Sequence, residues 1–432
     1  MSLATPERIR SLQRKLYCKA KAEPAFRFYL LYDKICREDI LFHAYRLARA
    51  NAGAPGVDGV TFAAIEAQGL EAWLAGLRED LVAKRYRPDP VRRVMIPKRD
   101  GGGERALGIP TIRDRTVQSA AKIVLEPIFE ADFEDNAYGY RPRRGAADAV
   151  KQVHQHLYRG CTDVVDADLS RYFDTIPHSE LLKSVARRVV DRNVLRLIKM
   201  WLKAPIEERD EDGTRRMSGG KGNTRGTPQG GVASPLLANI YMNRFLKHWR
   251  QSGAGEAFRA HVISYADDFV ILSRGHANEA LAWTKAVMTK LGLILNEAKT
   301  SLRDARKERF DFLGYSFGPH WFKKNGKWYV GASPSKKSVQ RFKTRVSEVL
   351  VPGNMTPWDD LRDELNSMLL GWSGYFSYGT YRRHYRSVDF HVYDRVRDFL
   401  ARRHKVRGRG SRQFPIERVY GELGLIRLER LP

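Results

Sequence analysis

The sequence predicts an α+β layer followed by a separate all-α domain, and three observations lead to this expectation. Apolar residues recur at helical spacing over most of the first 50 residues. The middle of the chain alternates short apolar strands with helices and contains segments that read as β-hairpins. From about Ser335 the pattern becomes helical only, and residues 336–432 carry 20 Lys or Arg against 11 acidic residues. We therefore expect three domains, at 1–130, 131–335 and 336–432.

The first third of the chain is predicted to be mostly helical, with one hairpin. The predicted helices cover 8–19, 26–50, 62–83 and 113–133, and Thr111 is a plausible N-cap for the last of them. Strands Val91–Pro97 and Glu104–Ile109 flank a Gly-rich turn at 99–103, which is typical of a hairpin.

The middle third is predicted to form mixed strands and helices. Strands are expected at 162–169 and 311–317, with a pair of apolar runs over 261–273 that meets at Tyr265-Ala-Asp-Asp268. The expected helices cover 179–188, 193–203, 234–249 and 280–291.

Charge is the most informative bulk property of this 432-residue chain. Lys and Arg total 76 against 50 acidic residues, which gives a net charge of +26 and a pI near 10.0. Such a chain is predisposed to bind a polyanion, because each phosphate contact releases condensed counterions. A solvated basic surface is the alternative interpretation. The charge therefore favours nucleic-acid binding.

The cysteines and the apolar runs indicate the compartment. Cys18, Cys36 and Cys161 are scattered, form no disulfide framework, and no His/Cys cluster has the sequence spacing of a zinc site. No run of about 18 apolar residues is present, so we expect no membrane partner. The N-terminal segment also lacks the apolar core of a secretory signal. These features predict a cytoplasmic protein.

Acidic residues at strand ends are the first candidates for chemistry. Asp166 and Asp168 share one face of an extended strand, and Asp267 and Asp268 lie between two apolar runs. Paired carboxylates suit Mg²⁺, which takes oxygen ligands, and two such ions about 4 Å apart can serve phosphoryl transfer. Acids at strand ends are also ordinary turn formers. From the residues alone, Asp166, Asp168 and Asp174 all remain candidates on or just after the first strand.

These acids lie within segments that together resemble the motifs of reverse transcriptases of the group II intron branch. The resemblance covers nearly the whole chain in the family's order, and several of the motifs would be weak alone. The motifs are Gly53-Ala-Pro-Gly-Val-Asp-Gly59, Ile96-Pro-Lys98, Arg105-Ala-Leu-Gly-Ile-Pro-Thr111, Ala137-Tyr-Gly-Tyr-Arg-Pro142, Gly226-Thr-Pro-Gln-Gly-Gly-Val-Ala-Ser-Pro-Leu-Leu-Ala-Asn239, Tyr265-Ala-Asp-Asp268, Leu291-Gly-Leu-Ile-Leu-Asn-Glu-Ala-Lys-Thr300 and Phe310-Asp-Phe-Leu-Gly-Tyr315. The implied fold is a right-hand polymerase whose fingers and palm precede a thumb, or maturase X domain.

The resemblance also implies the active-site residues. It selects Asp168 as the first metal-binding aspartate, with Asp267, Asp268 and Leu169 completing a site for two Mg²⁺ ions, or Mn²⁺ as a substitute. The implied nucleotide contacts are Lys98 and Arg105 on the triphosphate, Phe173 as the steric gate against a ribose 2′-hydroxyl, Gln229 at the nascent base pair, and Lys299 near the leaving pyrophosphate. Without the resemblance, core packing would be the preferred interpretation of Phe173.

The expected nucleic-acid contacts lie in one glycine turn and in the basic C-terminal domain. They are Gly230, Gly231, Lys336, Lys337, Tyr378, Arg382, Arg383, Arg402 and Arg403. Mixed aromatic and basic residues suit structured RNA or a template–primer duplex. Trp372 and Phe376 are instead expected to pack in a helical core.

The implied function is RNA-directed DNA synthesis together with a group II intron RNA, whose splicing and retrohoming the protein would promote. The implied partners are that RNA, an RNA template with a DNA primer, dNTPs and target DNA, in a bacterial cytoplasm and at the nucleoid. No zinc-binding HNH motif is present, so second-strand cleavage is not expected from this chain. The alternatives are a domesticated reverse transcriptase in phage defence or another host role, and an RNA-binding splicing factor without polymerase activity.

Overall fold

The computed structural model describes residues 3–97, 103–209, 212, 214–322 and 326–431, so Lys98 and the turn residues 99–102 lie outside the described residues. The N-terminal part contains helices and one hairpin. Its elements are α1 (Glu7–Ala22), α2 (Tyr32–Ile35), α3 (Glu38–Ala50), α4 (Phe62–Val82), β1 (Val91–Pro97), β2 (Glu104–Ile109) and α5 (Ile112–Glu130).

The remainder is a mixed region followed by helices. The mixed region contains α6 (Ala146–Tyr158), β3 (Asp163–Asp168), α7 (Tyr172–Thr175), α8 (His178–Ala186), α9 (Arg192–Leu202), β4 (Pro205–Arg209), β5 (Arg215–Gly219), α10 (Ser234–Gln251), α11 (Ala254–Ala257), β6 (Ala260–Tyr265), β7 (Asp268–Ser273), α12 (Ala277–Lys290), β8 (Ser301–Asp304), β9 (Phe310–Phe312), β10 (Tyr315–Phe322) and β11 (Lys327–Pro334). The C-terminal helices are α13 (Lys336–Val349), α14 (Trp358–Tyr375), α15 (Arg382–Arg403) and α16 (Ile416–Tyr420). The predicted α+β layer and helical C-terminal domain are confirmed.

The single helix predicted over 26–50 is wrong. Phe28 forms an isolated β-bridge with a distant segment, and the chain becomes helical again only at α2 and α3. The Asp191 carboxylate accepts hydrogen bonds from the backbone N–H groups of Leu31 and Tyr32, both at 2.9 Å. These long-range bonds satisfy free N–H groups at the start of α2. The helix therefore begins there, although apolar residues at helical spacing extend further back along the chain.

The first sheet has the strand order β2-β1-β4-β5. The predicted hairpin of β1 with β2 is confirmed, since the two strands pair antiparallel from Arg92↔Ile109 to Pro97↔Glu104. Strands β4 and β5, which were not predicted, join its other side through a short parallel pairing of β1 with β4. Residues from within 131–335 thus complete a sheet begun within 1–130, and the proposed domain boundaries remain a prediction.

The second sheet, with the order β6-β7-β3-β8, is antiparallel throughout and carries the acidic motifs. Both of its faces are buried. Val165 and Ile271 lie in the large core shared with α5 and α10, whereas Val164 and Leu272 lie in a second core with α6. Burial on both faces accounts for the nearly continuous apolar runs of β3, β6 and β7.

The third sheet, β11-β10-β9, corrects the prediction of one final strand over 311–317. Leu313 and Gly314 have φ angles of +50° and +78° and reverse the chain between β9 and β10. A two-residue turn with both φ values positive matches the twist of a hairpin. A further hairpin partner, β11, pairs with β10 from Tyr315↔Pro334 to Phe322↔Lys327.

The C-terminal helices have their own apolar core. Ser335 caps α13 by accepting a hydrogen bond from the backbone N–H of Ser338 at 3.2 Å. The Trp372 ring lies 5.2 Å from that of Phe342 and 4.9 Å from that of Phe376. Core packing of both residues is therefore confirmed, but Phe376 belongs to the core around α6 and the second and third sheets rather than to that of the C-terminal helices.

Candidate active site

The second sheet brings the three predicted acids together at one end. Asp168 is the last residue of β3 and Asp268 is the first of β7, and the two are directly paired across the antiparallel ladder. Asp267 lies in the two-residue turn that joins β6 to β7. Asp166 lies two residues earlier on the same face of β3 as Asp168 and pairs with Val270. The hairpin thus places Asp267 and Asp268 beside the end of β3.

The tip of this hairpin is held by the segment around Gly139. Ala266 has a φ of +59°, and a Cβ atom on Gly139 would lie only 2.4 Å from its backbone nitrogen. The N–H of Tyr138 donates to the Ser264 carbonyl at 2.8 Å, and the Asn239 side chain of α10 donates to the Gly139 carbonyl at 2.7 Å. Only glycine permits this close approach, so the motif at 137–142 has a structural role in fixing the acidic turn.

Electrostatic crowding is the main feature of the acid cluster. Desolvation by the surrounding protein, followed by the like charges of Asp267 and Asp168, raises the pKa of Asp268 to about 7. Burial and the charge of Asp168 also raise the pKa of Asp267, and burial raises the pKa of Asp166 to about 6. Carboxylates that repel one another in this way are suited to hold hard divalent cations, which take oxygen ligands. The donor set therefore fits Mg²⁺ or Mn²⁺.

The loop after α12 also contributes to the acid cluster. The Lys299 ammonium lies 3.3 Å from a carboxylate oxygen of Asp168. The Asn296 backbone N–H donates to the Asp168 carbonyl at 2.8 Å, which holds this loop against the end of β3. The Leu169 side chain is a buried hydrocarbon with no ligand atom, so any metal ligand from this residue is its carbonyl oxygen. Asn296 was not singled out by sequence reasoning, although it lies within the quoted motif at 291–300.

Phe173, the predicted steric gate, lies in α7, just after the end of β3. Its ring is half-buried, and its carbonyl accepts a hydrogen bond from the Thr227 N–H at 2.6 Å. The Tyr140 ring meets it edge-on at 6.4 Å. Partial burial and then the charge of Asp267 raise the pKa of Tyr140, so its hydroxyl is within electrostatic reach of the acids. Tyr140 was missed as a site residue, although it lies in the quoted motif at 137–142.

The turn at 228–231 joins the acid-bearing region to the first sheet. The Gln229 carbonyl accepts a hydrogen bond from the Gly108 N–H of β2 at 2.5 Å, and a Cβ atom on Gly230 would lie 2.2 Å from the Gly108 carbonyl oxygen. A Cβ atom on Gly231 would lie 2.8 Å from the Ser234 hydroxyl oxygen. The approach to a backbone oxygen explains the glycine at 230, whereas the neighbour of Gly231 is a side chain.

Gln229 and Arg105 are the predicted nucleotide contacts near this turn. Burial raises the pKa of the carboxyl group of Asp174, the residue that follows Phe173, and the nearby Gln229 side chain acts in the opposite direction. Arg105 is exposed on β2 and lies close enough to Tyr140 to act on its hydroxyl electrostatically. Lys98, predicted to act with Arg105, lies outside the described residues.

The predicted contacts of the C-terminal domain do not form one patch. Lys336 and Lys337 are exposed in the first turn of α13. Arg382 and Arg383 begin the 22-residue helix α15, whereas Arg402 and Arg403 end it, so the two pairs are separated by about 30 Å.

Tyr378 has a structural contact that the sequence did not indicate. Its hydroxyl lies 2.7 Å from Nδ1 of His154 on α6. Its ring meets that of His154 edge-on at 5.5 Å. Tyr378 therefore joins the C-terminal domain to the region that carries the acidic hairpin.

An antiparallel sheet that presents three clustered carboxylates, next to a basic helical domain, fits a metal-dependent enzyme that acts on nucleic acids, such as a polymerase. Comparison with known families makes this class specific. Residues 96–317 match the family model described as reverse transcriptase (RNA-dependent DNA polymerase), and residues 339–414 match the group II intron maturase-specific domain. The chain therefore belongs to the reverse transcriptase family, in the branch that carries a group II intron maturase domain, and it is an RNA-directed DNA polymerase.

Curated relatives support the same family. Protein YkfC of Escherichia coli (strain K12) is 34% identical over 345 residues, which cover 71% of this chain and 87% of YkfC. The group II intron-encoded protein LtrA of Lactococcus lactis is 34% identical over 222 residues, which cover 51% of this chain and 35% of LtrA. A putative COX1/OXI3 intron 2 protein of Saccharomyces cerevisiae is 25% identical over 332 residues, covering 64% of this chain and 37% of that protein.

None of the helices in the described ranges combines the length and the apolar character needed to cross a bilayer.

Proposed function

We propose that this reverse transcriptase copies RNA into DNA with two Mg²⁺ ions, or Mn²⁺ as a substitute, and that it acts with a group II intron RNA in splicing and retrohoming. The convergence of Asp168, Asp267 and Asp268 at the end of one sheet is the observation that carries the catalytic part of this proposal. The maturase-specific domain at residues 339–414 supports the part that concerns intron RNA.

The acid cluster would hold the metal ions. Asp168 and Asp267 are the principal ligands in this proposal, with Asp268 and the Leu169 carbonyl completing the site. Bound divalent ions supply activation of the primer 3′-hydroxyl and neutralise charge on the leaving pyrophosphate. Lys299, whose ammonium is 3.3 Å from an Asp168 carboxylate oxygen, supplies positive charge on the pyrophosphate side.

The surrounding residues would select and orient the incoming dNTP. Arg105, together with Lys98, binds the triphosphate, as expected of cations that stabilise a transferring phosphoryl group. The half-buried Phe173 ring excludes a 2′-hydroxyl and so favours deoxynucleotides. Gln229, whose carbonyl accepts a hydrogen bond from the Gly108 N–H, contacts the nascent base pair while Gly230 keeps its turn against β2.

The net charge of +26 supports binding of RNA template, DNA primer, target DNA and intron RNA. Lys336 and Lys337 are exposed at the start of α13, and four arginines are exposed at the two ends of α15. Separation of these basic groups over about 30 Å suits a large structured RNA better than a short peptide. In this proposal the protein works in the bacterial cytoplasm and at the nucleoid, where the intron transcript and its DNA target meet.

Primer extension tests the catalytic part. The wild-type chain is expected to extend a DNA primer on an RNA template with dNTPs and Mg²⁺, and Asp267→Asn is expected to remove extension. Circular dichroism and melting curves of both proteins control for folding. Equal extension by the two folded proteins would contradict the proposed site.

An intron splicing assay tests the RNA partner separately. The flanking intron RNA is transcribed with its exons, and splicing at low Mg²⁺ is followed with wild-type protein and with Asp267→Asn. Because splicing requires RNA binding but not DNA synthesis, both proteins are expected to accelerate it. Acceleration by neither protein, together with active primer extension, would reject the maturase role and favour another host function.

A further inference from the structure

Three metal-ligating side chains meet at the edge of the second sheet, away from the acidic hairpin tip. His156 and Cys161 lie at the C-terminal end of α6, and His261 lies on β6. One nitrogen or sulfur atom from each lies within 4.8 Å of the other two. The sequence does not predict this cluster, because His261 is 100 residues from Cys161 along the chain.

The way α6 ends explains why two of these side chains meet. Gly160 has a φ of +89°, its N–H donates to the Leu157 carbonyl at 3.0 Å, and the Cys161 N–H donates to the His156 carbonyl at 3.0 Å. This pair of bonds is a Schellman motif, which brings the side chain just beyond the terminal glycine against one in the last helical turn. In this chain those side chains belong to Cys161 and His156.

The third side chain comes from the strand that α6 covers. Strand β6 is at the edge of its sheet, and His261 alternates with Ile263 and Tyr265 on the face of the core that includes α6. The rings of His156 and His261 are stacked with centroids 3.9 Å apart and an interplanar angle of 24°. The helix end and the edge strand thus present their ligands to each other.

The cluster also contains an unsatisfied group. Nδ1 of His156 is buried and has no hydrogen-bond partner within the described structure. A buried ring nitrogen normally finds a partner, because burial without one costs free energy. Cys161 next to it is buried, at 4% exposure, and is a free thiol. Other histidines of the protein also have such a nitrogen, but among the described residues only His156 combines it with two further metal ligands within 4.8 Å.

We propose that His156, Cys161 and His261 form a binding site for one transition-metal ion of the Zn²⁺ class. Two imidazoles and a thiolate are ligands that such ions prefer, and a solvent molecule completes four-coordination. Ligand atoms around tetrahedral Zn²⁺ lie about 3.3 to 3.8 Å apart, given its bond lengths. Because His261 is exposed, its ring has room to turn and close the remaining distance.

The charges around the site set its ligand chemistry. Burial lowers the pKa of His156 to about 4, and burial followed by Arg159 and Arg274 lowers that of His261, so both rings are neutral and have a free nitrogen for a metal. The negative charge of Glu256 acts in the opposite direction and raises the pKa of His261. The cysteine thiolate partly offsets the charge of the ion.

The ion would stabilise the sheet rather than take part in DNA synthesis. It would join the end of α6 to β6, the strand that leads through Tyr265 to the acidic turn. Tyr265 lies four residues after His261 on β6, and it pairs with Asp268 on β7.

Cobalt substitution tests the site in the full-length chain. Co²⁺ is titrated into the reduced, metal-free protein, and thiolate-to-cobalt charge transfer is followed in the near ultraviolet. We expect a band that saturates at one equivalent and disappears when Zn²⁺ is added, with a melting temperature that rises until one equivalent of Zn²⁺ is bound. The catalytic acids contain no sulfur, so the charge-transfer band distinguishes this site from theirs.

Variants decide whether the band belongs to these residues. Cys161→Ser and His261→Ala are expected to lose the band, and Cys36→Ser, which changes another buried cysteine, is expected to keep it. His261 is exposed, so its substitution removes no buried side chain from the core. Absence of the band from the wild-type protein, or its persistence in folded His261→Ala and Cys161→Ser, would overturn the proposal.

Discussion

Asp168 and Asp268 are directly opposite residues in the antiparallel pairing of β3 with β7. Opposite Cα atoms in such a ladder lie about 4.5 to 5.5 Å apart, so the backbone itself fixes the spacing of two of the three acids. Asp267, in the adjoining turn, adds a third carboxylate that the backbone also holds in place. Without a cation these groups repel one another, and this repulsion leads to the first prediction.

Metal binding is expected to strengthen as the pH rises from 6 to 8. The pKa of Asp268 is about 7 and that of Asp267 is raised, so protons compete with the metal below neutrality. The increase in melting temperature caused by Mg²⁺ or Mn²⁺ should therefore be larger at pH 8 than at pH 6. Differential scanning calorimetry at both pH values measures it.

The metal-free protein should show the opposite trend. A carboxyl group with a raised folded pKa binds more protons in the folded state, so its contribution to stability is present at low pH and is lost as the pH rises through 7. Asp268→Asn is the control. It should reduce the pH dependence of both the metal-induced shift in melting temperature and the stability of the metal-free protein. A metal-induced shift that is equal at pH 6 and pH 8 would count against metal binding by this cluster.

Phe173 is expected to control sugar selection. Phe173→Val removes the ring that meets Tyr140 at 6.4 Å and opens space beside the acids. We expect kcat/KM for ribonucleotides to rise roughly 10- to 100-fold relative to that for deoxynucleotides. Single-nucleotide incorporation measures the ratio, and Phe173→Tyr, which keeps a ring, should keep the wild-type preference. An unchanged ratio in Phe173→Val would remove the gate assignment.

Gly230 is expected to be required for the contact between the 228–231 turn and β2. In Gly230→Ala the new Cβ meets the Gly108 carbonyl oxygen at 2.2 Å, at a φ of +106°. We expect a loss of about 1 to 3 kcal/mol in the free energy of unfolding and a higher KM for dNTPs. Urea denaturation and steady-state kinetics measure these effects. Gly222→Ala is the matched control, since a Cβ there meets no atom of the described residues within 4 Å.

Lys336 and Lys337 are expected to bind phosphates. The double alanine variant should bind structured RNA more weakly, and the slope of log affinity against log salt should fall by about 1 to 2. Filter binding at several salt concentrations measures the slope. Removal of two exposed cations from α9, with Arg192→Ala and Lys199→Ala, controls for net charge. If both double variants have the same effect, α13 has no specific role in RNA binding.

The sequence was most informative where local pattern and tertiary structure agree. The apolar runs around Tyr265-Ala-Asp-Asp268 form a hairpin because both faces of its sheet are buried. The predicted strand 162–169 and the Thr111 cap also match the structure. The choice of Asp168 over Asp166 came only from family resemblance, because alternation places both on one face.

Elements fixed by distant contacts were not predictable in this way. Strand β5 is exposed along its whole length and has no apolar alternation to reveal it. The helix predicted over 26–50 failed because Asp191, far along the chain, caps α2. Tyr378, expected to contact nucleic acid, hydrogen-bonds His154 of α6, which is 224 residues away along the chain. Sequence spacing likewise gave no sign of the His156–Cys161–His261 cluster.

The most direct test of the three-carboxylate site compares Asp168→Asn with Asp166→Asn in primer extension on an RNA template. The substitutions change acids two residues apart on the same face of β3, and asparagine keeps the shape of each side chain while it removes the negative charge. We expect Asp168→Asn to lower kcat on the order of 10³-fold and Asp166→Asn to retain most of the activity. Comparable activity in the two variants, whether high or low, would contradict the assignment of Asp168 as the metal-binding residue of β3.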